Sequence, residues 1–131
     1  MKPKATIVIM LSLLALLFAS GAWAAKGDVY IVAINDAISP GIAEYINNSI
    51  ERAEKEEAAC LIIELDTPGG LAESMRLIIK DILGSSVPIV VFVAPRGARA
   101  ASAGVMITMA ADVAVMAPGT NIGAAHPVGA G

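Results

Sequence analysis

Segments rich in β-branched and apolar residues alternate with helical segments along this chain, and this alternation restricts its fold more than any other feature. The predicted strands cover residues 28–34, 60–66, 88–94 and 112–117. The predicted helices cover residues 42–53, 71–82 and 100–111. Strands that alternate with helices predict right-handed crossovers and a mainly parallel sheet, so we expect an α/β fold.

Three details refine this expectation. Ser39 followed by Pro40 predicts the N-cap and the first position of a helix. The strand at 88–94 is almost continuously apolar, which is typical of a parallel strand that is buried on both faces. Cys60 begins another apolar run, and we expect it to be a small buried core residue.

The N-terminal segment has the features of a secretory signal peptide. Two lysines precede an apolar run at residues 5–19, and small residues in an A-x-A arrangement follow it. The run is shorter than the about 20 residues that span a bilayer, so we expect cleavage after Ala24 or Ala25, with an uncleaved anchor as the alternative. Residues 1–25 are therefore predicted to be a signal peptide, and the remaining chain is predicted to lie outside the cytoplasm.

Composition excludes several classes of function. The chain has 12 acidic and 9 basic residues, with a net charge of -3, and the basic residues form no stripe. Nucleic acid is therefore not an expected partner. One cysteine cannot form an internal disulfide, and one cysteine with one histidine shows no metal-ligand spacing, so we expect neither a metal nor a cofactor.

The chain ends within a glycine-rich stretch, residues 126–131, and we expect it to be part of a longer protein. Residues 26–131 then form a single domain that is incomplete at its C-terminal end. A parallel sheet that stops early leaves an apolar edge exposed, so residues 26–131 on their own are expected to be poorly soluble.

Small and polar residues collect in the loops that follow three of the predicted strands. These loops are residues 67–70, 100–104 and 119–131. Because the carboxyl ends of parallel strands meet at one edge of the sheet, where α/β proteins bind ligands, we expect the three loops to lie together.

Two of these loops contain the residue types that acyl transfer needs, namely a nucleophile and N–H donors for an oxyanion. Gly69 and Gly70 have no side chain to block access to their N–H groups. Ser102 supplies a hydroxyl, and the N–H of Ala103 is expected to point the same way. Taken alone, the glycine pair also fits an ordinary turn, and the serine also fits a packed helix of small residues. The pattern is not the G-x-S-x-G elbow, because Ala100 replaces its first glycine.

Three motifs, in order, resemble one known family. The segments LDTPGGL at 65–71, AASAG at 100–104 and PGTNIGAAHP at 118–127 are similar to the membrane-bound ClpP-class serine proteases of the NfeD family, the stomatin-operon partner proteins. The resemblance covers the chain from about Asp28 to its end. It implies a ClpP/crotonase-like fold with repeated β-α units. It also implies that longer members continue into transmembrane segments and a small β-barrel domain.

The resemblance implies roles for individual residues and partners. Ser102 would be the nucleophile, and Gly69, Gly70 and Ala103 would line the oxyanion hole. The substrate would be a hydrophobic segment of a membrane protein, with a stomatin-like protein as the natural partner. The exported protease domain would be held at the membrane by its signal segment or a C-terminal region, and would form a homo-oligomer.

The base that the resemblance implies is not in this chain. The family pairs its serine with a lysine in a Ser-Lys dyad, yet no lysine follows Ser102 here. An unactivated serine is a weak nucleophile, so we expect these residues to be inactive alone. His126 is an alternative base, since a neutral imidazole suits this task near pH 7. Its orienting acid would come from Asp112 or from beyond residue 131, although Asp112 is better interpreted as a loop-to-strand residue. A surface or packing role for His126 is the plainer interpretation.

Other charged residues are expected to have structural roles. Glu64 and Asp66 share a strand face, and we expect Asp66 to cap the turn that follows it. Arg96 and Arg99 are expected to be solvated charges on an exposed turn. Contact with substrate or with a neighbouring subunit is the functional alternative for the two arginines.

The leading hypothesis is a membrane-associated serine endopeptidase. A non-catalytic scaffold for a stomatin-like membrane partner is the main alternative, with Ser102 unused. Acyl-CoA chemistry of the crotonase type shares the oxyanion hole, but the export signal and the lack of a phosphate-binding cluster argue against it.

Overall fold

The computed structural model describes residues 27–125. The strands are β1 (Val29–Asn35), β2 (Cys60–Asp66), β3 (Ile89–Val93), β4 (Arg99–Ala101), β5 (Val113–Met116) and β6 (Asn121–Gly123). The helices are α1 (Pro40–Lys55), α2 (Ala72–Gly84) and α3 (Ala103–Ala110). The predicted signal peptide and His126 lie outside the described residues. No helix within residues 27–125 is long and apolar enough to cross a membrane.

Strands β1, β2, β3 and β5 form one parallel sheet in that order, which confirms the predicted fold class. Each connection between neighbouring strands contains a helix, because parallel strands need a crossover. Asn35 pairs with Asp66, and Val93 pairs with both Leu65 and Met116, so the strands end at a common edge. The loops that follow the strands therefore start close together, as expected.

The first helix begins as predicted. Ser39 has an extended backbone, its Oγ accepts the N–H of Ile42 at 3.4 Å, and Pro40 opens the helix. The buried residues recur at helical spacing and are Ala43, Ile46, Ile50 and Ala53. Tyr45 lies beside this buried stripe and is 49% exposed.

The helices cover one face of strands β1, β2 and β3. Val32, Ile63 and Val91 are neighbours across this face, and all three are buried in the core. Ile46 of α1 and Ile78 of α2 are fully buried in the same cluster. Burying such a side chain stabilises the fold by about 1.5–3 kcal/mol, so this face supplies most of the stability of the sheet.

The opposite face is not covered by any element among residues 27–125. A row of neighbouring apolar side chains crosses it, formed by Ile31, Ile62, Val90 and Val113. None of these is fully buried. The prediction that the strand at 88–94 is buried on both faces is therefore wrong, because helices cover only one of them. Cys60, predicted to be buried, is half-buried on the same open face.

A second, two-stranded parallel sheet lies next to the carboxyl edge of the first. It consists of β4 and β6, with Ala100 paired to Ile122. The prediction of a helix over residues 100–111 is wrong at its start, because residues 99–101 form a strand and the helix begins at Ala103. Small residues fit either structure, and pairing with a segment distant in sequence selects the strand.

Candidate active site

The loops that follow β2 and β3 lie in contact with each other. Thr67 pairs with Ala100 in a parallel bridge. The N–H of Thr67 donates to the carbonyl of Arg99 at 2.7 Å, and the N–H of Ala101 donates to the carbonyl of Thr67 at 3.1 Å. The glycine motif and the serine motif, which are far apart in sequence, are thus joined by hydrogen bonds immediately before Ser102.

Ser102 is the single residue between β4 and α3, and its backbone is strained. It has φ 50° and ψ -112°, a conformation that residues other than glycine rarely adopt. Its N–H donates to the carbonyl of Gly123 at 3.0 Å, and its carbonyl accepts the N–H of Val105 at 3.0 Å. Strand β6 and the first turn of α3 therefore hold this residue in place.

The turn at Ser102 is the strand-to-helix elbow that exposes a nucleophile in many hydrolases. The sequence lacks the first glycine of that pattern, yet the backbone adopts this kind of turn. The Ser102 side chain is exposed and makes no capping hydrogen bond. Gly104 is required two positions later, because a Cβ there would lie 2.7 Å from Cγ2 of Thr67.

Gly69 lies directly against Ser102. A Cβ on Gly69 would be 2.7 Å from Cβ and 3.2 Å from Oγ of Ser102, and the φ of Gly69 is +108°. Both the space and the backbone conformation therefore require glycine here. This close approach brings the backbone of the loop to the hydroxyl, as the sequence motif suggested.

The N–H of Gly69 is already engaged, which the sequence did not indicate. It donates to Oγ1 of Thr67 at 3.1 Å, and the carbonyl of Gly69 accepts the N–H of Ile38 at 2.8 Å. The N–H of Leu71 donates to the carbonyl of Ile38 at 2.8 Å. Because both neighbours of Gly70 bond to Ile38, the N–H of Gly70 itself points away from Ile38.

Two of the N–H groups that the sequence predicts for the oxyanion hole are not engaged in this way. One belongs to Gly70. The other belongs to Ala103, the first residue of α3, whose N–H has no acceptor within its own helix. The contact of Thr67 with Gly69 was not predicted from the sequence, although a threonine two residues before a glycine in a turn is a known signal for a local hydroxyl–backbone contact.

An open polar hollow of about 490 Å³ lies at the same edge of the sheet. Its polar lining residues are Asn35, Asp36, Asp66, Arg99 and Asn121. Ser102 is not among its lining residues, so the hollow does not contain the predicted nucleophile. The carboxylate of Asp66 accepts the N–H of Arg99 at 3.0 Å, so it joins β2 to β4 and does not cap its own turn as predicted.

The alternative base, His126, and the acid that could orient it, Asp112, differ in what the structure shows of them. Asp112 lies at the amino edge of the sheet, where its Oδ2 accepts the N–H of Ile89 at 2.7 Å. It is therefore at the opposite edge from Ser102, and the hypothesis that it orients a base there is wrong. His126 lies outside the described residues, and its role stays a prediction.

Comparison with known sequences identifies related proteins. The family described as NfeD1b, N-terminal domain, matches residues 28–131. The membrane-bound protease PH1510 of Pyrococcus horikoshii is 41% identical over 120 residues, which is 92% of this chain and 27% of the relative. This chain thus spans about a quarter of the length of that relative.

Comparison with solved structures points the same way. Two structures of the membrane-bound stomatin-specific protease 1510-N, one of a serine-to-alanine variant and one of a lysine-to-alanine variant with a substrate peptide, both match with TM-score 0.77. Their sequences are 41% and 42% identical to this chain. Each match covers 80% of this chain, and the two matches cover 51% and 48% of the related chains. ClpP1 of Listeria monocytogenes matches with TM-score 0.68 at 23% identity, over 76% of this chain and 61% of its own, and shows the fold alone.

The family match covers every strand and helix described above. The elbow at Ser102 and the glycine loop beside it therefore belong to a ClpP-like fold, and this chain is a member of the NfeD1b N-terminal domain family.

Proposed function

We propose that this chain supplies the nucleophile and the oxyanion hole of a serine endopeptidase. The observation that carries the proposal is the strained backbone of Ser102, held at φ 50° directly against Gly69. A strained non-glycine residue persists only where its surroundings impose it, and such residues concentrate at active sites.

In the proposed reaction, Oγ of Ser102 attacks the carbonyl carbon of a peptide bond. The oxygen of that carbonyl becomes an oxyanion, which accepts hydrogen bonds from the N–H groups of Gly70 and Ala103. Each such donor contributes about 10²–10³ to kcat in well-studied proteases. Gly69 lines the same space, and because it has no side chain it leaves room for the substrate beside the hydroxyl of Ser102.

The base in this proposal is a lysine that a segment after residue 131 would supply, in a Ser-Lys dyad. The existence of serine-to-alanine and lysine-to-alanine variants of the related protease 1510-N supports this pairing. His126 is kept as the alternative base. Residues 26–131 alone would be inactive, because they contain neither the lysine nor a group that orients His126. The serine hydroxyl needs a base to become nucleophilic.

The proposed substrate is a hydrophobic segment of a stomatin-like membrane protein. The relatives are named as membrane-bound and as stomatin-specific, and this supports the same substrate class and a location at the membrane. We further propose that residues 1–25 direct the domain out of the cytoplasm and that the protease acts as a homo-oligomer.

A fluorophosphonate probe applied to the full-length protein tests this proposal. Ser102 would displace fluoride from phosphorus and become covalently labelled, with its proton passing to the base. Ser102→Ala should abolish labelling, whereas Ser49→Ala, a control on α1, should not. Replacing the candidate lysine by alanine should also abolish labelling, because the serine then has no base.

Each alternative has its own outcome in this experiment. Labelling that depends on Ser102 but survives the lysine change and is lost in His126→Ala would make His126 the base. Labelling absent from the wild-type protein, together with intact binding of a stomatin-like partner, would overturn the protease and favour the scaffold.

A further inference from the structure

Thr67 is a buried polar residue that the proposed reaction does not use. It follows β2 directly, and its side chain is 0% exposed. Its Oγ1 accepts the N–H of Gly69 at 3.1 Å and donates to the carbonyl of Gly69 at 3.2 Å. One hydroxyl therefore contacts both polar backbone groups of the glycine that lies against Ser102.

These contacts determine the direction of the next peptide group. The carbonyl of Gly69 accepts from two donors, the hydroxyl of Thr67 and the N–H of Ile38. In a planar trans peptide the N–H points opposite to the carbonyl. Holding the carbonyl of Gly69 therefore turns the N–H of Gly70 to the other side, away from Thr67 and Ile38.

The rest of Thr67 contacts the segment that carries the serine. Its backbone bonds to both Arg99 and Ala101, the residues of β4 that precede Ser102. Its methyl group lies where a Cβ on Gly104 would come within 2.7 Å of it, so it packs against the first turn of α3. A single buried residue thus connects the glycine loop, the strand before the elbow and the helix after it.

We propose that Thr67 is a positioning residue: its hydroxyl holds the Gly69–Gly70 peptide so that the N–H of Gly70 faces the oxyanion formed at Ser102. This inference rests on the proposed function, since it needs a nucleophilic Ser102. It assigns the hydroxyl a role in catalysis and the methyl group a role in packing, and the two roles can be separated by substitution.

Two matched pairs of side chains at position 67 separate the catalytic role of the hydroxyl from the packing role of the methyl group in the full-length protein. Thr67→Val keeps the methyl packing and removes the hydroxyl. Thr67→Ala and Thr67→Ser both lack the packing methyl and differ only in the hydroxyl. The readouts are kcat and KM with a fluorogenic peptide of apolar residues, the rate of fluorophosphonate labelling, and the thermal unfolding temperature of each variant.

Losing the hydroxyl should lower kcat about tenfold, which is a smaller loss than the about 10²–10³-fold loss for deleting an oxyanion donor. KM should change by less than about twofold, because the interaction is made in the transition state. Thr67→Ser should exceed Thr67→Ala in kcat by a similar factor, even if Thr67→Val fails to fold. The labelling rates should follow kcat.

A purely structural role gives a different result. The unfolding temperatures would then fall while kcat, measured well below them, stayed the same within each matched pair, and this would overturn the inference. Failure of the proposed function is distinct from that result, because the wild-type protein itself would then show neither labelling nor cleavage.

Discussion

The two faces of the four-stranded sheet have similar apolar side chains but different surroundings. Ile63 points to the helix-covered face and is 0% exposed, whereas its neighbour Ile62 points to the open face and is only half-buried. Val91 and Val90 repeat this difference on the next strand. The apolar content of a parallel strand therefore shows that both faces can be buried, and it does not show that both are.

The open face contains an apolar depression of about 210 Å³, lined by Ile62, Val90, Phe92 and Val115. Contiguous exposed apolar surface of this kind marks an interaction surface or an aggregation risk in soluble proteins. The face continues onto β5, where Val113 and Val115 are both exposed. The stability of the fold should therefore depend on one face, and its solubility on the other.

The largest expected effect is on the covered face. Ile63→Ala should lower the free energy of unfolding by about 2–5 kcal/mol, because it leaves a cavity in a packed core. Ile62→Ala, the matched change on the open face, should cost less than about 1.5 kcal/mol. Urea-dependent pulse proteolysis of residues 26–131 at submicromolar concentration measures both. Equal losses would contradict the difference between the faces.

A polar substitution sharpens the same comparison without changing side-chain shape. Val91→Thr should lower the free energy of unfolding by about 1–3 kcal/mol, because it buries a hydroxyl among apolar groups. Val90→Thr should have an effect of less than about 0.5 kcal/mol, because its hydroxyl can reach water. The same proteolysis assay compares the two variants, and a larger loss for Val90→Thr would reverse the assignment of the faces.

Polar substitutions on the open face should raise the solubility of residues 26–131. We expect the wild-type segment to be poorly soluble, and the double variant Ile62→Thr/Val90→Thr to stay in solution at higher concentration. The reason is that it divides the exposed apolar row. Sedimentation after purification at a series of concentrations measures this. A wild-type segment that is already a soluble, cooperatively unfolding monomer would refute the expectation.

The smallest effect concerns the rim of the covered face, where α1 meets the loop before β3. Hydrogen bonds from the backbone N–H and the hydroxyl of Ser86 to the Glu54 carboxylate hold its pKa below the usual 4.5. A lowered folded-state pKa contributes stability above the unfolded value that is lost as pH falls through the folded value. Glu54→Gln should therefore unfold at a slightly lower temperature at pH 7, and this difference should disappear below the folded-state pKa.

Glu51→Gln, on the same helix, removes an equal charge and serves as the control in these thermal scans. A difference between Glu54→Gln and wild type that persists unchanged into acid would show that the carboxylate does not stabilise this junction through its charge.

The sequence determined the order of the elements and the positions of the loops. Periodicity specifies a helix or a strand locally, and right-handed crossovers then allow few arrangements. The positions of Gly69, Gly70 and Ser102 at one sheet edge follow from that order alone. Their assignment to catalysis came from the family motifs, since a glycine pair and a serine are individually common.

Tertiary structure decided the rest, because these features depend on contacts between segments far apart in the chain. Pairing of β4 with β6 turned Ala100 from a predicted helix residue into a strand residue and placed Ser102 in an elbow. The hydroxyl of Thr67 engaged both the N–H and the carbonyl of Gly69, the glycine that lies against Ser102. Only the packing of α1 and α2 decided which face of the sheet became the core, since both faces of a parallel strand can be equally apolar.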